Sequence, residues 1–220
     1  MNGSAPHVVA DATFERIDLG AGSWVDVARG WLCDADAVYE HLAASVDWRT
    51  SRLWRYERWV EEPRVSRGYG RVDEYPHPAL VEAQRALANR YHVTFGGIGL
   101  NYYRDRDDSV AFHRDRDMRH LEETIVAILT LGARRPFLLR PHGRRDRFLA
   151  ERNGATHDLS PGSGDLLVLG GSLQVGWNHG VPKVPYHVGG RISAMWRWTS
   201  GRGRPEVGPS YRAPRHFTRR

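Results

Sequence analysis

A single cysteine, Cys33, in 220 residues excludes an internal disulfide framework and a thiolate metal cage. Any chelation must therefore come from histidine and carboxylates. Cys33 itself, beside Trp31 and Leu32, reads as a small packed residue and not as a nucleophile. No apolar run approaches the roughly 20 residues of a membrane span, and the N-terminal stretch lacks a basic segment leading into an apolar one. The expectation is a cytoplasmic, monomeric protein with no membrane partner. Charge of one sign is also scarce in the body of the chain. The formal net charge is +6, but the last twenty residues hold six Arg and one Glu, so residues 1–200 are close to neutral.

The composition, 40% hydrophobic with eight Trp, is that of a folded chain, and the length suits one domain. No internal repeat is visible. The tail from Gly201, with six Gly and Pro in twenty positions, predicts an arm without regular structure, either phosphate-seeking or merely solubilising. A first helix is expected from Asp34 as N-cap, with Ala35, Val38, Leu42 and Val46 on one face. A second is expected over 79–91, with Leu80, Ala83, Leu87 and Tyr91 on its stripe. Between them, Arg52 to Trp59 alternates as a strand or hairpin, and Pro63 to Pro78 reads as a surface loop. After Val93 the period changes to short β-branched and aromatic runs: 98–103, 125–131, 137–139, 166–169 and 191–198. Helices followed by many strands predict an α+β chain whose C-terminal half is an antiparallel sandwich or jelly roll.

The candidate chemistry begins at His113-Arg-Asp115. Residues two apart on a strand share a face, so this imidazole and carboxylate are placed to grip one ion. They make up two-thirds of a facial triad of two His and one carboxylate, which leaves one face of an octahedral iron open for a co-substrate and oxygen. In a chain with eleven His the pair alone is weak evidence. His179, in Trp177-Asn-His-Gly-Val-Pro-Lys183 and just after the apolar run ending at Gly171, is the candidate third ligand; a core histidine satisfied by backbone is the plain alternative. His187, in what reads as a loop before Gly189, is a rival ligand. The segment Arg191-Ile-Ser-Ala-Met-Trp-Arg197 alternates, with Arg191, Ser193, Met195 and Arg197 on one face and Ile192, Ala194, Trp196 and Trp198 on the other. Two arginines on a strand otherwise built for burial are costly unless they meet anions, and the guanidinium fork matches a dicarboxylate such as 2-oxoglutarate. A strand whose polar face is simply solvated is the alternative.

Taken in order, Asn101-Tyr-Tyr103, His113-Arg-Asp115, Gly164-Asp-Leu-Leu, Trp177-Asn-His179 and Arg191 to Arg197 resemble the AlkB family of nucleic-acid dealkylating dioxygenases. The resemblance implies a double-stranded β-helix (jelly roll, cupin-like) core at 93–200, with N-terminal helices and a substrate-side loop at 1–92 packed on one side and an Arg-rich tail at 201–220. By the same resemblance His113, Asp115 and His179 bind Fe(2+). Asn101, Tyr103, Arg191 and Arg197, with Ser193 on the same face, hold 2-oxoglutarate. Asp117 matches the acid that reads the exocyclic group of the target base, or is a solvated acid among Arg114, Arg116 and Arg119. Pro63-Arg64 and Tyr69-Gly70 look like the substrate-side loop, which makes Arg64 and Tyr69 substrate-binding candidates.

The implied reaction is oxidative demethylation of N-alkylated bases of the 1-methyladenine and 3-methylcytosine type in DNA, using O2 and 2-oxoglutarate and releasing succinate, carbon dioxide and formaldehyde. A base in a duplex has to be flipped out to reach such a site. Two departures stand out. Gly68 occupies a position where many members carry a bulky aromatic, so stacking falls to Tyr69, Trp54 or Trp59; and Gln174 is followed by Val175, where many members carry a basic residue shortly after the Gln. Phosphate affinity would then lean on local patches such as Arg134-Arg135 and Arg144-Arg145. The alternative keeps the cofactors and changes the substrate to RNA, a protein side chain or a small metabolite. A jelly-roll binding module without catalysis is the reading from another class.

Overall fold

The computed structural model describes residues 5–55, 57–143, 156–202 and, for the backbone alone, 215–219. In chain order the elements are β1 (Glu15–Asp18), β2 (Ser23–Ala28), α1 (Ala35–Ser45), β3 (Arg49–Arg55), β4 (Arg58–Tyr69), α2 (Pro78–Tyr91), β5 (Ile98–Tyr103), β6 (Val110–His113), β7 (Thr124–Gly132), β8 (Leu138–Pro141), β9 (His157–Asp158), β10 (Leu166–Gly171), α3 (Leu173–Gly176), β11 (Trp177–Val181), β12 (Arg191–Thr199) and β13 (Arg215–Arg219). A nine-stranded sheet runs β1-β2-β10-β7-β12-β5-β4-β3-β13, and a four-stranded sheet runs β6-β11-β8-β9. Every pairing is antiparallel. The chain has the jelly-roll-like sandwich of a double-stranded β-helix, with the helices against the outer face of the larger sheet.

Two apolar layers follow from strand alternation in the larger sheet. Ala127, Leu129 and Leu131 of β7 and Ile192, Ala194 and Trp196 of β12 face α1 and α2, meeting Val38, Leu42, Leu80, Ala83 and Leu87. Val126, Ile128, Leu167, Leu169 and Met195 face the smaller sheet, where Leu139 and Val181 meet them. Because both faces of β7 are covered, it reads as a continuous apolar run and not as an alternation. The polar positions of β12 lie on the face turned to the smaller sheet, which is where the site is built.

Both helices form where the periodicity puts them, though α1 does not start for the expected reason. Asp34 adopts a left-handed φ of 51° and its side chain makes no capping bond; the first turn is closed by Ala37 N–H donating to the Asp34 carbonyl at 3.1 Å. At α2, His77 is the cap, its Nδ1 accepting from Ala79 N–H at 3.1 Å, with Pro78 pre-set in the first turn.

Two expectations are corrected. The segment from Pro63 is not a loop until after Tyr69: β4 continues through it, and the register shifts between Thr50↔Val65 and Arg52↔Glu61. This bulge is where a proline is tolerated, since Pro63 has no N–H to leave unpaired. The tail is not wholly without regular structure either, because Arg215–Arg219 pairs with the free edge of β3, whose unpaired backbone groups supply the bonds that composition does not reveal. Residues 15–69 also contribute four strands to the larger sheet besides the predicted helix. Among the described residues no helix is long and apolar enough to cross a membrane.

Leu129 is fully buried against the helices while its neighbour Ile128 faces the site layer. Leu129→Ala is expected to cost about 3 kcal/mol through lost burial and a cavity. Urea unfolding measures this; a loss under about 1 kcal/mol would contradict the packing described.

Candidate active site

In the smaller sheet β6 and β11 pair with His113 directly opposite His179, and the two imidazole centroids are 4.3 Å apart. Asp115 is not on the same strand face as His113, as the two-residue spacing suggested: β6 ends at His113, and Asp115 lies in the turn that follows. That turn brings the carboxylate back, with Oδ1 3.7 Å from His113 Nε2 and 3.9 Å from His179 Nε2. The three donor atoms lie within 4.8 Å of one another, the one such group of His, Cys or acid side chains found among the described residues. Two donors each at about 2.1 Å from one ion are at most about 4.2 Å apart, which the carboxylate's distances to both imidazoles meet. His187 sits in an exposed loop outside this group.

Hydrogen bonds from neighbouring groups fix His113 and Asp115, while the buried His179 Nδ1 has no hydrogen-bond partner among the described residues. His113 Nδ1 bonds to the Ala111 carbonyl at 2.9 Å, which sets that nitrogen as donor and leaves the Nε2 lone pair toward Asp115. The Asp115 N–H donates to Gln174 Oε1 at 2.8 Å, and Gln174 is fully buried. Arg197 Nε donates to Asp115 Oδ2 at 2.7 Å. Burial alone would raise the Asp115 pKa, but Arg197 and the two imidazoles overcome it and hold the carboxyl well below the usual range. Burial, reinforced by the adjacent His113, pushes His179 down to about 3, and burial also lowers His113. The result is two neutral imidazoles and one anion, the protonation state that a hard divalent cation requires.

Beneath this group β12 presents the predicted face. Arg191 and Ser193 are buried, with Arg191 opposite Tyr103 and Ser193 opposite Asn101 on β5. The Asn101 amide contacts Met195 Sδ at 3.8 Å. Arg191 Nη2 reaches Thr130 Oγ1 at 3.2 Å, while its Nε and Nη1 are buried with no hydrogen-bond partner. Burial pushes the Arg191 pKa down to about 10. A fully buried guanidinium with two orphaned nitrogens is stable only beside an anion, so the donor set and this cation together fit a metal plus carboxylate co-substrate.

A cavity of about 1140 Å³ opens over the chelators and takes in Asn101, Tyr103, Ser193 and Arg197, with Arg64 and the exposed Asp117 also on its walls. Arg64 is tied to Glu62 at 2.8 Å. Tyr69 is not brought to this cavity; it packs against the helix-side core. Trp54 and Trp59 pair edge-to-face at 5.4 Å on the hairpin face opposite Leu53 and Val60, which line the cavity. None of the three aromatics proposed for stacking therefore faces the chelators. Arg135, read as part of a surface patch, is instead fully buried, donating to the carbonyls of Asp105 at 2.5 Å, Asp108 at 2.8 Å and Pro182 at 3.0 Å. Arg144-Arg145 lies outside the described residues. The two roles that sequence reasoning missed are those of Gln174 and Arg135. Gln174 was noted only as a motif position, and for both residues the partners are backbone atoms far away in sequence, which no local pattern reveals.

A family model described as the 2OG-Fe(II) oxygenase superfamily matches residues 37–196, a span that contains all three candidate chelators. The chain belongs to the 2OG-Fe(II) oxygenase superfamily. Fe(2+), 2-oxoglutarate and O2 are what members of the superfamily use. Homology to AlkB homologues is also clear. The chain is 30% identical over 189 residues to human alpha-ketoglutarate-dependent dioxygenase alkB homolog 3, covering 78% of this chain and 65% of the relative. It is 24% identical over 182 residues to human DNA oxidative demethylase ALKBH2, covering 74% and 68%. The chain thus spans less than two thirds of the length of its alkB homolog 3 relatives, 65% for the human protein and 62% for the Bos taurus one. The fold is similar to that of a Trichoplax adhaerens prolyl hydroxylase, with a TM-score of 0.57 at 13% identity, covering 80% of this chain and 83% of that one.

Two outcomes are expected of the superfamily site. Gln174→Ala should weaken divalent-metal binding by about 10- to 100-fold, because the loop that carries Asp115 loses its anchor; titration with Fe(2+) or Co(2+) under nitrogen reads this, and unchanged affinity would refute the role. For the metal-free protein, the depressed histidine values mean that the unfolded chain binds protons first. Stability is then fully retained above the ordinary histidine value of 6.5 and falls as pH drops toward about 3. His179→Asn should flatten that part of the pH–stability curve, and an unchanged curve would refute the assignment.

Proposed function

We propose that this chain oxidatively dealkylates N-alkylated nucleobases, of the 1-methyladenine and 3-methylcytosine type, in DNA. The observation that carries this reading is the alignment of about three quarters of the chain with proteins named as AlkB homologues, one of them a DNA oxidative demethylase. The cavity above the chelators is compatible with it. Asp117 is on its wall, two residues beyond Asp115, where a carboxylate can accept a hydrogen bond from an exocyclic amino group.

Bound iron supplies oxidation of a C–H bond by O2 coupled to decarboxylation of 2-oxoglutarate. What the chain contributes is position and charge. His113, Asp115 and His179 would hold the metal, and Arg191, Arg197, Asn101 and Tyr103 would orient the dicarboxylate. The buried apolar layer of Val126, Ile128 and Met195 keeps water from the reacting carbon. The substrate base enters from the open side, flipped out of a duplex or taken from a single strand.

A second reading, the same chemistry on RNA, a protein side chain or a small metabolite, is favoured by one observation. Tyr69, Trp54 and Trp59, the aromatics expected to stack a planar base, are absent from the cavity lining, whose Tyr and Phe rings are Tyr103, Phe112 and Phe137.

Incubation with Fe(2+), ascorbate, 2-oxoglutarate and a 1-methyladenine oligonucleotide should give unmodified adenine, formaldehyde and succinate in equal amounts. Asp115→Ala should lower the rate by at least about 10³-fold, to background. Succinate formation stimulated by peptides or metabolites but not by methylated oligonucleotides would replace the first reading with the second.

A further inference from the structure

The register between β3 and β4 breaks where the two strands reach the cavity. Thr50 is opposite Val65 and Arg52 is opposite Glu61, so Glu62, Pro63 and Arg64 together face the single residue Ser51. In this bulge Pro63 is exposed, while the residues on either side of it, Glu62 and Arg64, both line the cavity over the candidate chelators. The bulge is also fastened to the strand that carries His113. Ser109 N–H, one residue before β6, donates to the Pro63 carbonyl at 2.7 Å.

An ion pair on this wall is costly. Side-chain exposure is only 10% for Glu62 and 11% for Arg64, and Arg64 Nη2 donates to Glu62 Oε1 at 2.8 Å. Taking both charges out of water opposes folding more than two packed apolar side chains would, so stability does not account for the pair. Each Glu62 oxygen has its own partner, since the buried Ser51 Oγ donates to Oε2. The carboxylate is thus held from two directions. Arg64 is less fully engaged: its other contact is a long one, Nη1 to the Ser109 carbonyl at 3.5 Å, and a guanidinium has five N–H donors to offer a ligand in the cavity. Its charge is felt at Tyr103, whose pKa burial raises and on which Arg64 is the strongest of the neighbouring charges acting in the opposite direction.

We propose that Glu62 is a positioning residue: braced by Ser51, it holds the Arg64 guanidinium in one orientation on the cavity wall, and Arg64 in turn donates to an acceptor atom of the substrate base and fixes its pose. This rests on the nucleic-acid dealkylation reading, in which Arg64 touches the base and Glu62 acts only through Arg64. What the ion pair supplies is rigidity. An arginine free to rotate gives up its rotamer freedom when a ligand binds, whereas one held by a fixed carboxylate has given it up on folding. The cost of the buried pair is thereby met by the fold and not by the binding step.

The test is a double-mutant cycle read in kcat/KM for a 1-methyladenine oligonucleotide, using the metal-loaded wild type, Glu62→Ala, Arg64→Leu and the double variant. Glu62→Ala should lower kcat/KM about tenfold, the size of one charge-assisted hydrogen bond, mostly through KM, with KM for 2-oxoglutarate within about twofold of wild type. Glu62→Gln, which keeps an acceptor oxygen for Arg64, should recover most of the loss. In the Arg64→Leu background Glu62→Ala should cost less than about twofold more, because the residue it positions is gone. A full tenfold penalty in that background, an unchanged kcat/KM in Glu62→Ala, or a rise confined to KM for 2-oxoglutarate would each overturn the proposal. Should Glu62→Ala fail to fold, the cycle is run with Ser51→Ala, whose smaller loss must likewise vanish without Arg64; a loss that persists overturns the proposal. A wild type inactive on the oligonucleotide would overturn the nucleic-acid reading itself, and this inference with it.

Discussion

His113 and His179 can meet only because β6 and β11 are locked in one register. A slip of one residue would turn one imidazole to the outer face of the smaller sheet and leave two chelators instead of three. The register is held from both sides: β11 is paired to β8 with His179 opposite Leu139, and the irregularity between His179 and Val181 absorbs the mismatch toward Val110. The third chelator depends on the same segment. Residues 173–181 supply Gln174 on α3 and His179 on β11, so one stretch of chain both presents a ligand and anchors the loop of Asp115.

Such a site carries charges and unpaired polar atoms, and its stability has to come from elsewhere in the fold. Arg191 and Arg135 are both fully buried, each within 6 Å of the Tyr103 ring. Arg135 donates to three carbonyls, with its Nε alone unpartnered among the described residues, and ties the 105–108 loop to Pro182, so it acts as a strut. Arg191 is not satisfied, and a buried cation in that condition opposes folding. The larger sheet offsets this through its opposite face, where β7 and β12 bury an uninterrupted apolar layer against α1 and α2. Function and stability are thus divided between the two faces of the same strands.

That division explains what was legible in the sequence. The alternation of Arg191 to Arg197 could be read directly, because one face is core and the other is the site. The two helices and β5, β7, β10 and β12 were legible for the same reason: their apolar periods match their burial. The three candidate chelators were named from residue type and motif order, but the geometry that brings them together was not legible, since Asp115 approaches from beyond the end of β6 and the two-residue spacing is incidental. The short strands β1, β6, β9 and β11, and the tail strand β13, have weak local patterns and owe their form to neighbours remote in sequence. Tyr69, Trp54 and Trp59 were assigned by type alone. Which face of a strand a residue takes depends on its register, and the Pro63 bulge shifts the register of β4 in a way that composition does not announce.

The electrostatics of the site narrow what it can accept. With both histidines neutral and Asp115 held anionic, the three chelators carry a net charge of −1, so a bound dication leaves +1 at the centre. Arg191 is buried beside the lining residue Tyr103 and Arg197 lies on the cavity wall, adding two cations that the surroundings only partly neutralise, since Arg197 already contacts Asp115. The field at the floor is therefore positive over a length spanned by one strand face, from Arg191 to Arg197. A monoanion placed at the exposed Arg197 would leave the buried Arg191 unpaired. An anion with charge at two separated ends balances both, and it is this distribution, more than the cavity's volume, that suits the site to a dicarboxylate.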